Sequence, residues 1–194
     1  MEVLEFSPVR LYLLAGLLLH KAVWEVLKRR GGAPPQKRSV STKSRILSSV
    51  KIAILIGIIV QTVLPPVLPI SNDSRALVAA GLAIYTAGLL MAVMARIQLG
   101  RNWSDIEKSR VNQDHALVAH GLYRWVRHPI YAGDLLLLLG LELALNSWGV
   151  LGVIALAIYV RRQAAVEERA LAATLPGYAD YCRRTSRFLP FLPS

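Results

Sequence analysis

The feature that most limits what this chain can become is an alternation: long apolar blocks are separated by segments whose charges are mostly basic. Five blocks stand out, Arg10 to Leu27, Ile46 to Leu64, Ala76 to Ile97, Ile130 to Leu145 and Trp148 to Val160. A helix needs about 20 apolar residues to cross a bilayer, with ~17 as the low end. The first three blocks meet that length. The last two are short, and only the uncharged Asn146-Ser147 separates them, so they read as a tight helical hairpin. No Gly or Pro interrupts the chain between Val160 and Pro176, so the second arm is expected to continue into the polar phase as one helix.

The charges orient these spans. Eight of the 23 Lys/Arg lie in residues 28–51 with no acid among them, six lie in 96–128 and six in 161–194. Arg10 and Arg75 are on the opposite side, and Lys21 is inside the first block. Positive charge is retained on the cytoplasmic side. Five alternating spans put all three basic segments there, with the N-terminus outside and the C-terminus in the cytoplasm. The first block is expected to stay as a span rather than leave as a signal peptide, because Glu2 and Glu5 precede it and Lys28-Arg29-Arg30 follows it. Pro65, Pro66 and Pro69 end the second helix at the outer face.

Composition agrees. Apolar residues make up 54% of the chain and charged residues 18%, against about 25% charged in a soluble domain. A soluble enzyme and a disordered tail are thereby excluded. A net charge of +11 would suggest nucleic acid in a soluble chain; here it tracks the loops, so no nucleic-acid partner is expected. The single cysteine, Cys182, excludes an internal disulfide, and no zinc-type spacing occurs, so no metal is expected. The fold class is all-α: a polytopic membrane protein of five transmembrane helices with a cytoplasmic C-terminal helix. Residues 1–97 form three spans around the basic loop 28–51. Residues 98–194 hold a cytoplasmic loop, the hairpin 130–160 and the last helix. Gly81 and Gly88, with Ala92 and Ala95 nearby, form a smooth stripe suited to close helix packing.

The chemically unusual side chains gather in the two cytoplasmic segments flanking the hairpin. The first reads Gly100-Arg101-Asn102-Trp103-Ser104, His115-Ala116-Leu117-Val118, Gly121-Leu122-Tyr123 and Arg127-His128-Pro129-Ile130-Tyr131-Ala132-Gly133. The second reads Glu167-Glu168-Arg169-Ala170-Leu171, Tyr178-Ala179-Asp180-Tyr181 and Arg187-Phe188-Leu189-Pro190. A hairpin makes its entry and exit neighbours, so Arg127-His128 is expected to meet Arg161-Arg162 at the membrane surface. His128 and Tyr131, three apart at a helix start, share a face. Singly, each piece also has a structural role: interfacial aromatics, a snorkelling Arg127, a helix-starting Pro129, and Glu167 and Glu168 paired with arginines along their own helix.

In this order and spacing, from Leu99 to Pro190, the set resembles the isoprenylcysteine carboxyl methyltransferase family, particularly its short prokaryotic members. The resemblance implies an S-adenosylmethionine site lined by His115, Ala116, Leu117, Val118, Tyr123, His128, Pro129, Ile130 and Tyr131, with Glu167 as a further contact. It also implies residence in a prokaryotic inner membrane and a lipidic acceptor entering sideways from the bilayer. Gln163 stands where the family carries an arginine for the acceptor carboxylate, and Lys108 stands near a family glutamine. Arg162 or Arg161 would then replace that arginine, or the acceptor belongs to another class. Arg162 and Glu167 are the candidate catalytic residues.

Carboxyl methylation of an isoprenylcysteine-like lipid is thus the expected activity. N-methylation of a phospholipid amine is the alternative within enzymes, with His128, Glu167 or Asp134 as base. A non-catalytic adaptor binding anionic lipid is the alternative outside them. Asp134 and Glu142 lie outside the family pattern. Eight apart on one helix face, they are expected near the cofactor or acceptor and near Lys21/Glu25 or a subunit contact, respectively. His20 and Lys21 are expected either there or snorkelling to the surface. The sequence sets no subunit number.

Overall fold

In the computed structural model, residues 7–30, 42–64, 69–100 and 117–190 are described. They form six α-helices: α1 Pro8–Arg30, α2 Thr42–Val63, α3 Arg75–Leu99, α4 Pro129–Ala144, α5 Val150–Thr174 and α6 Tyr178–Arg184. A short 3-10 turn, Gly121–Arg124, precedes α4. Beyond helices there are only two isolated bridges among the described residues, Pro69 with Ser147 and Val126 with Ser186. The five apolar blocks correspond to α1 through α5, and α5 runs on past Val160 as expected.

Among the described residues, α3 is the one helix long and apolar enough to cross a membrane by itself. The others are interrupted or short for identifiable reasons. Lys21 and Glu25 break the apolar run of α1, while α4 has 16 residues and includes Asp134 and Glu142.

The centre of the fold is the α3–α4 contact, and it is built on missing side chains. A Cβ added at Gly81 would lie 2.3 Å from the backbone N of Ala144, one at Gly88 2.3 Å from that of Leu137. In return, a Cβ at Gly140 would lie 2.1 Å from the Tyr85 backbone and one at Gly133 2.6 Å from Ala92. The stripe read on α3 therefore meets a second stripe on α4 with the same seven-residue spacing, and the two backbones touch. Tyr85, Leu89, Leu137 and Leu141 bury themselves around this seam, joined by Leu13 of α1. The Tyr85 hydroxyl donates to the Leu13 carbonyl at 2.6 Å, which ties α1 to the pair.

The hairpin turn is held by one side chain. Asn146 adopts a left-handed φ of 53°, a conformation Asn tolerates better than most residues. Its Oδ1 accepts from the backbone N–H of Ile70 and Ser71 at 3.1 and 3.0 Å, and its Nδ2 donates to the Ser71 carbonyl at 2.7 Å. The turn is thereby pinned to the start of the α3 approach. Arg10 donates to the Thr62 carbonyl at 2.8 Å, satisfying an end of α2.

Glu142 departs from the first of its two expected settings, the one facing Lys21/Glu25. It is buried, 6% exposed, and accepts a hydrogen bond from Gln61 of α2, not from anything near Lys21 or Glu25. Its carboxyl rests over Gly149, where a Cβ would lie 2.1 Å from Oε2. The reason is axial: eight residues beyond Asp134 is about 12 Å along a helix, which takes Glu142 to the hairpin end. His20 does not snorkel. It bonds Asp134 of α4, with its Nε2 2.9 Å from Oδ1.

Candidate active site

The 3-10 turn is placed before any functional group is. Gly121 has φ +60° and sits against the Gln98 side chain, whose Oε1 accepts the Leu122 N–H at 2.8 Å. A Cβ at Gly121 would lie 2.5 Å from that amide, so glycine is needed both for its backbone and for its space. Tyr123 is thereby buried with Ala95 and Ile130, and Trp24, Val118, Leu122 and Tyr131 pack around them. Pro129 at the first turn starts α4, presenting His128 at its edge.

Behind this turn the segment after α6 folds back. Arg127 N–H donates to the Ser186 carbonyl at 2.8 Å, His128 N–H to Arg187 at 3.1 Å, and Ser186 N–H to Trp125 at 3.1 Å. The Tyr181 hydroxyl reaches the Tyr123 carbonyl at 2.7 Å. Burial pushes the phenols of Tyr123, Tyr178 and Tyr181 up from their ordinary value, so all three act as neutral hydroxyls.

The ionic centre is Glu168. Arg127 Nε donates to its Oε1 at 2.8 Å, His128 Nε2 lies 3.2 Å from the same atom, and Arg187 Nη2 donates to Oε2 at 2.7 Å. Arg127 also donates to the carbonyls of Cys182 and Thr185. Burial alone would raise the Glu168 pKa. The hydrogen bonds from His128, Arg187 and Arg127 outweigh it and hold the carboxyl well below the usual carboxylate range. Three donors on one carboxylate are what a mostly buried charge requires.

Glu167, next along the chain, has a different setting. The Tyr131 hydroxyl donates to its Oε2 at 2.7 Å, and His128 Nδ1 lies 4.0 Å from that oxygen. Oε1 carries no hydrogen bond among the described residues, and the side chain is 36% exposed. The His128 and Tyr131 rings are parallel within 2° at 5.2 Å between centroids. One acid is therefore locked as structure and its neighbour is left open beside two fixed rings. Because their positions differ by one residue, a ~100° turn around the helix sends them to different partners.

Of the expected site residues, Tyr123, His128, Pro129, Ile130, Tyr131 and Glu167 come together here, with Val118 at the edge and Leu117 partly buried beside it. His115, Ala116, Trp103 and Lys108 lie outside the described residues. Arg161 and Arg162 are exposed, and Gln163 is partly buried. Arg127 and His128 meet Glu167 and Glu168 rather than Arg161 and Arg162, because a buried guanidinium needs a carboxylate and not another cation. Likewise neither acid pairs along its own helix: Glu167 reaches Tyr131 of α4, and Glu168 reaches Arg127, His128 and Arg187 of the tail. Sequence reasoning missed the roles of Glu168 and Arg187 as one ionic unit, of Gln98 as the turn's anchor, and of the His20–Asp134 pair. Arg187 was at least visible as part of a distinctive closing segment.

Among the described residues no group of three or more His, Cys, Asp or Glu side chains could hold a metal ion. Comparison with known proteins matches residues 79–173 to the isoprenylcysteine carboxyl methyltransferase (ICMT) family model. The chain is 37% identical over 111 residues to the cobalt-zinc-cadmium resistance protein CzcN of Cupriavidus metallidurans, covering 56% of this chain and 50% of that one. It is 28% identical over 115 residues to the protein-S-isoprenylcysteine O-methyltransferase of Schizosaccharomyces pombe, covering 58% and 49%. These matches span about half the length of those relatives. The fold as a whole is similar to the solved structure of the eukaryotic intramembrane Ras methyltransferase ICMT, with a TM-score of 0.63 at 18% identity, over 97% of this chain and 70% of that one.

Proposed function

We propose, from the match of residues 79–173 to the isoprenylcysteine carboxyl methyltransferase family model, that the chain is a membrane-embedded, S-adenosylmethionine-dependent methyltransferase. Its acceptor is the carboxylate of an isoprenylcysteine-like lipid. The observation that carries this reading is the Tyr131–Glu167 contact at 2.7 Å, which joins α4 and α5 inside the matched segment and leaves one carboxylate oxygen open.

The residues present fit the donor. Its amine or ribose hydroxyls would be met by the open Oε1 of Glu167, a hydrogen-bond acceptor, and its adenine by the apolar wall of Val118, Leu122 and Ile130. His115, Ala116, Leu117, Tyr123, His128, Pro129 and Tyr131 complete the set we assign to it. When bound, S-adenosylmethionine supplies an activated methyl group on a sulfonium. The chain's own part is to bind, align and exclude water. Tyr131 fixes the orientation of Glu167, and Glu168 fixes His128. The Tyr123 turn closes the floor. An acceptor carboxylate is already ionised, so no strong base is required, and alignment alone can supply about 7–11 kcal/mol. Arg162, exposed on α5, is assigned to draw the acceptor carboxylate in place of an arginine at Gln163.

The five-span topology, with an external N-terminus and cytoplasmic C-terminus in a prokaryotic inner membrane, belongs to the same reading. It is supported by the charge distribution and by large apolar side chains left exposed on several helices, among them Leu18, Ile56, Leu90, Ile97, Leu151 and Ile158. Gln163, a neutral residue, favours a second reading in which the acceptor is a phospholipid amine.

Membranes carrying the protein, incubated with methyl-labelled donor and a prenylcysteine analogue, decide between these. A base-labile label on the analogue is the expected result, since esters hydrolyse and methylamines do not. Base-stable label in phospholipid would establish the amine reading instead. Glu167→Ala should weaken donor binding measured by calorimetry at least ten-fold, as a hydrogen bond involving a charged group contributes about 1.5–3 kcal/mol.

A further inference from the structure

The knot around Glu168 holds one more arginine than neutrality requires. Arg127 is the buried one, with its side chain 3% exposed, and it also donates to the carbonyls of Cys182 and Thr185. Arg187 is the accessible one, 24% exposed, and it lies beyond the matched segment 79–173. Counted as charge, it is surplus. Counted as bonds, it is not. Arg127 and His128 both meet Oε1 of Glu168, at 2.8 and 3.2 Å. Among the described residues Oε2 is held by Arg187 alone, with Nη2 at 2.7 Å and Nε at 3.2 Å, while Nε also reaches Oε1 at 3.1 Å. The last torsion of a glutamate is soft, so a carboxylate gripped at one oxygen is left to turn. A guanidinium laid across both oxygens stops it.

The same residue meets His128 a second time. The Arg187 carbonyl accepts the His128 N–H at 3.1 Å, and the ring of the next residue, Phe188, lies 5.9 Å from the His128 ring. These backbone and ring contacts hold whatever charge the imidazole carries. His128 in turn lies parallel to Tyr131 at 5.2 Å, and Tyr131 donates to Glu167. A path of direct contacts thus runs from the tail to the open acid. We propose that Arg187 is a positioning residue for the methyl donor: by keeping the Glu168 carboxylate from turning it holds the His128 ring, and so sets how tightly the site binds S-adenosylmethionine. This rests on the donor reading above and adds a determinant from outside the matched segment. Arg127 serves the fold, and Arg187 serves the site.

The test is calorimetry on the full-length protein in detergent, with Tm measured alongside. The probes are S-adenosylmethionine and its demethylated product, S-adenosylhomocysteine. Arg187→Gln should raise the Kd of both by about five-fold, the size expected when a hydrogen-bonded contact is loosened, with Tm close to that of the wild type. Equal loss is the mark of positioning, because the two probes share every group except the methyl and its sulfonium charge. Arg187→Lys keeps the charge but not the fork, and should fall between Arg187→Gln and the wild type. In a His128→Ala background Arg187→Gln should have no further effect. Tighter binding of the donor alone in Arg187→Gln would show that Arg187 acts as a bare charge and would overturn the inference. So would an unchanged Kd, or a full effect in the His128→Ala background. Failure of both Arg187 variants to fold would overturn it too, by placing Arg187 with Arg127 in the fold. Wild-type protein that binds neither probe would sink the donor reading, and this inference with it.

Discussion

Helix α4 is held in two opposite ways along its length. Against α3 it is fastened by the lack of side chains, with Gly133 and Gly140 set against the backbones of Ala92 and Tyr85. At its N-terminal start it is fastened by charge, where Arg127, His128 and Arg187 converge on Glu168. Glycine-to-backbone contact needs no water and no counter-charge, so it suits a bilayer, where lipid competes with no polar group. The ionic knot needs several donors for one acid, and it sits at the N-terminal end of α4. The seam fixes the distance between helices. The knot fixes their rotation, and rotation decides whether Tyr131 faces Glu167.

The largest effect should come from filling the seam. Gly140→Leu has no room, since even its Cβ would lie 2.1 Å from the Tyr85 backbone, and backbone cannot swing aside as a side chain can. No folded, monodisperse protein should be recovered in detergent. Gly152→Ala, with nothing within 4 Å, is the control and should be neutral or slightly stabilising. Equal recovery of both variants would show that the seam does not hold α4.

Next is the knot. Glu168→Gln removes the charge opposite a buried Arg127 and should destabilise by about 3–5 kcal/mol, read from chemical denaturation of the solubilised protein. The same residue sets a pH dependence. Its folded pKa is depressed below the ordinary 4.5, so its contribution is complete above that value and is lost as pH falls from there toward the depressed one. The wild-type Tm should therefore drop between about pH 4.5 and 3, and Glu168→Gln should flatten that part of the curve. A wild-type curve already flat there would remove Glu168 from the account.

The smallest effect should be Tyr181→Phe, which deletes one neutral hydrogen bond to the Tyr123 carbonyl at 2.7 Å. A loss of about 0.5–1.5 kcal/mol is expected, with donor affinity nearly unchanged because the turn is also anchored by Gln98. A large loss of donor binding would mean that the tail shapes the site directly.

The same division explains what could be read without coordinates. Apolar blocks, prolines and charge runs are local signals, and they anticipated α1 to α5 within a few residues, including the run of α5 past Val160. Gly81 and Gly88 announced a close neighbour because small residues seven apart share a helix face. Which helix would be that neighbour was not legible, since Gly133 and Gly140 become a matching stripe only once the antiparallel register is known. In the site, His128, Tyr131 and Glu167 were legible as a motif. Glu168 looked like the other half of an acidic pair, and only the tail's return shows it serving Arg127 and Arg187. His20 and Asp134 carry no spacing signal at all; helix rotation makes them partners. For Glu142 the expected Lys21/Glu25 neighbour gives way to Gln61 of α2, because which helix lies against its face depends on the same rotation.

The tail's return also imposes an order on how the molecule is made. Arg187 follows Glu168 by 19 residues, and a ribosome adding about 5–20 residues per second takes roughly one to four seconds to cover that distance. During that interval Arg127 and Glu168 exist without their third partner, and nothing yet bridges Val126 to Ser186. The helices and their glycine seam can assemble while the chain is still growing. The tail segment behind His128 is laid last, so a ribosome stalled within that stretch would leave a well-inserted protein with an unfinished site.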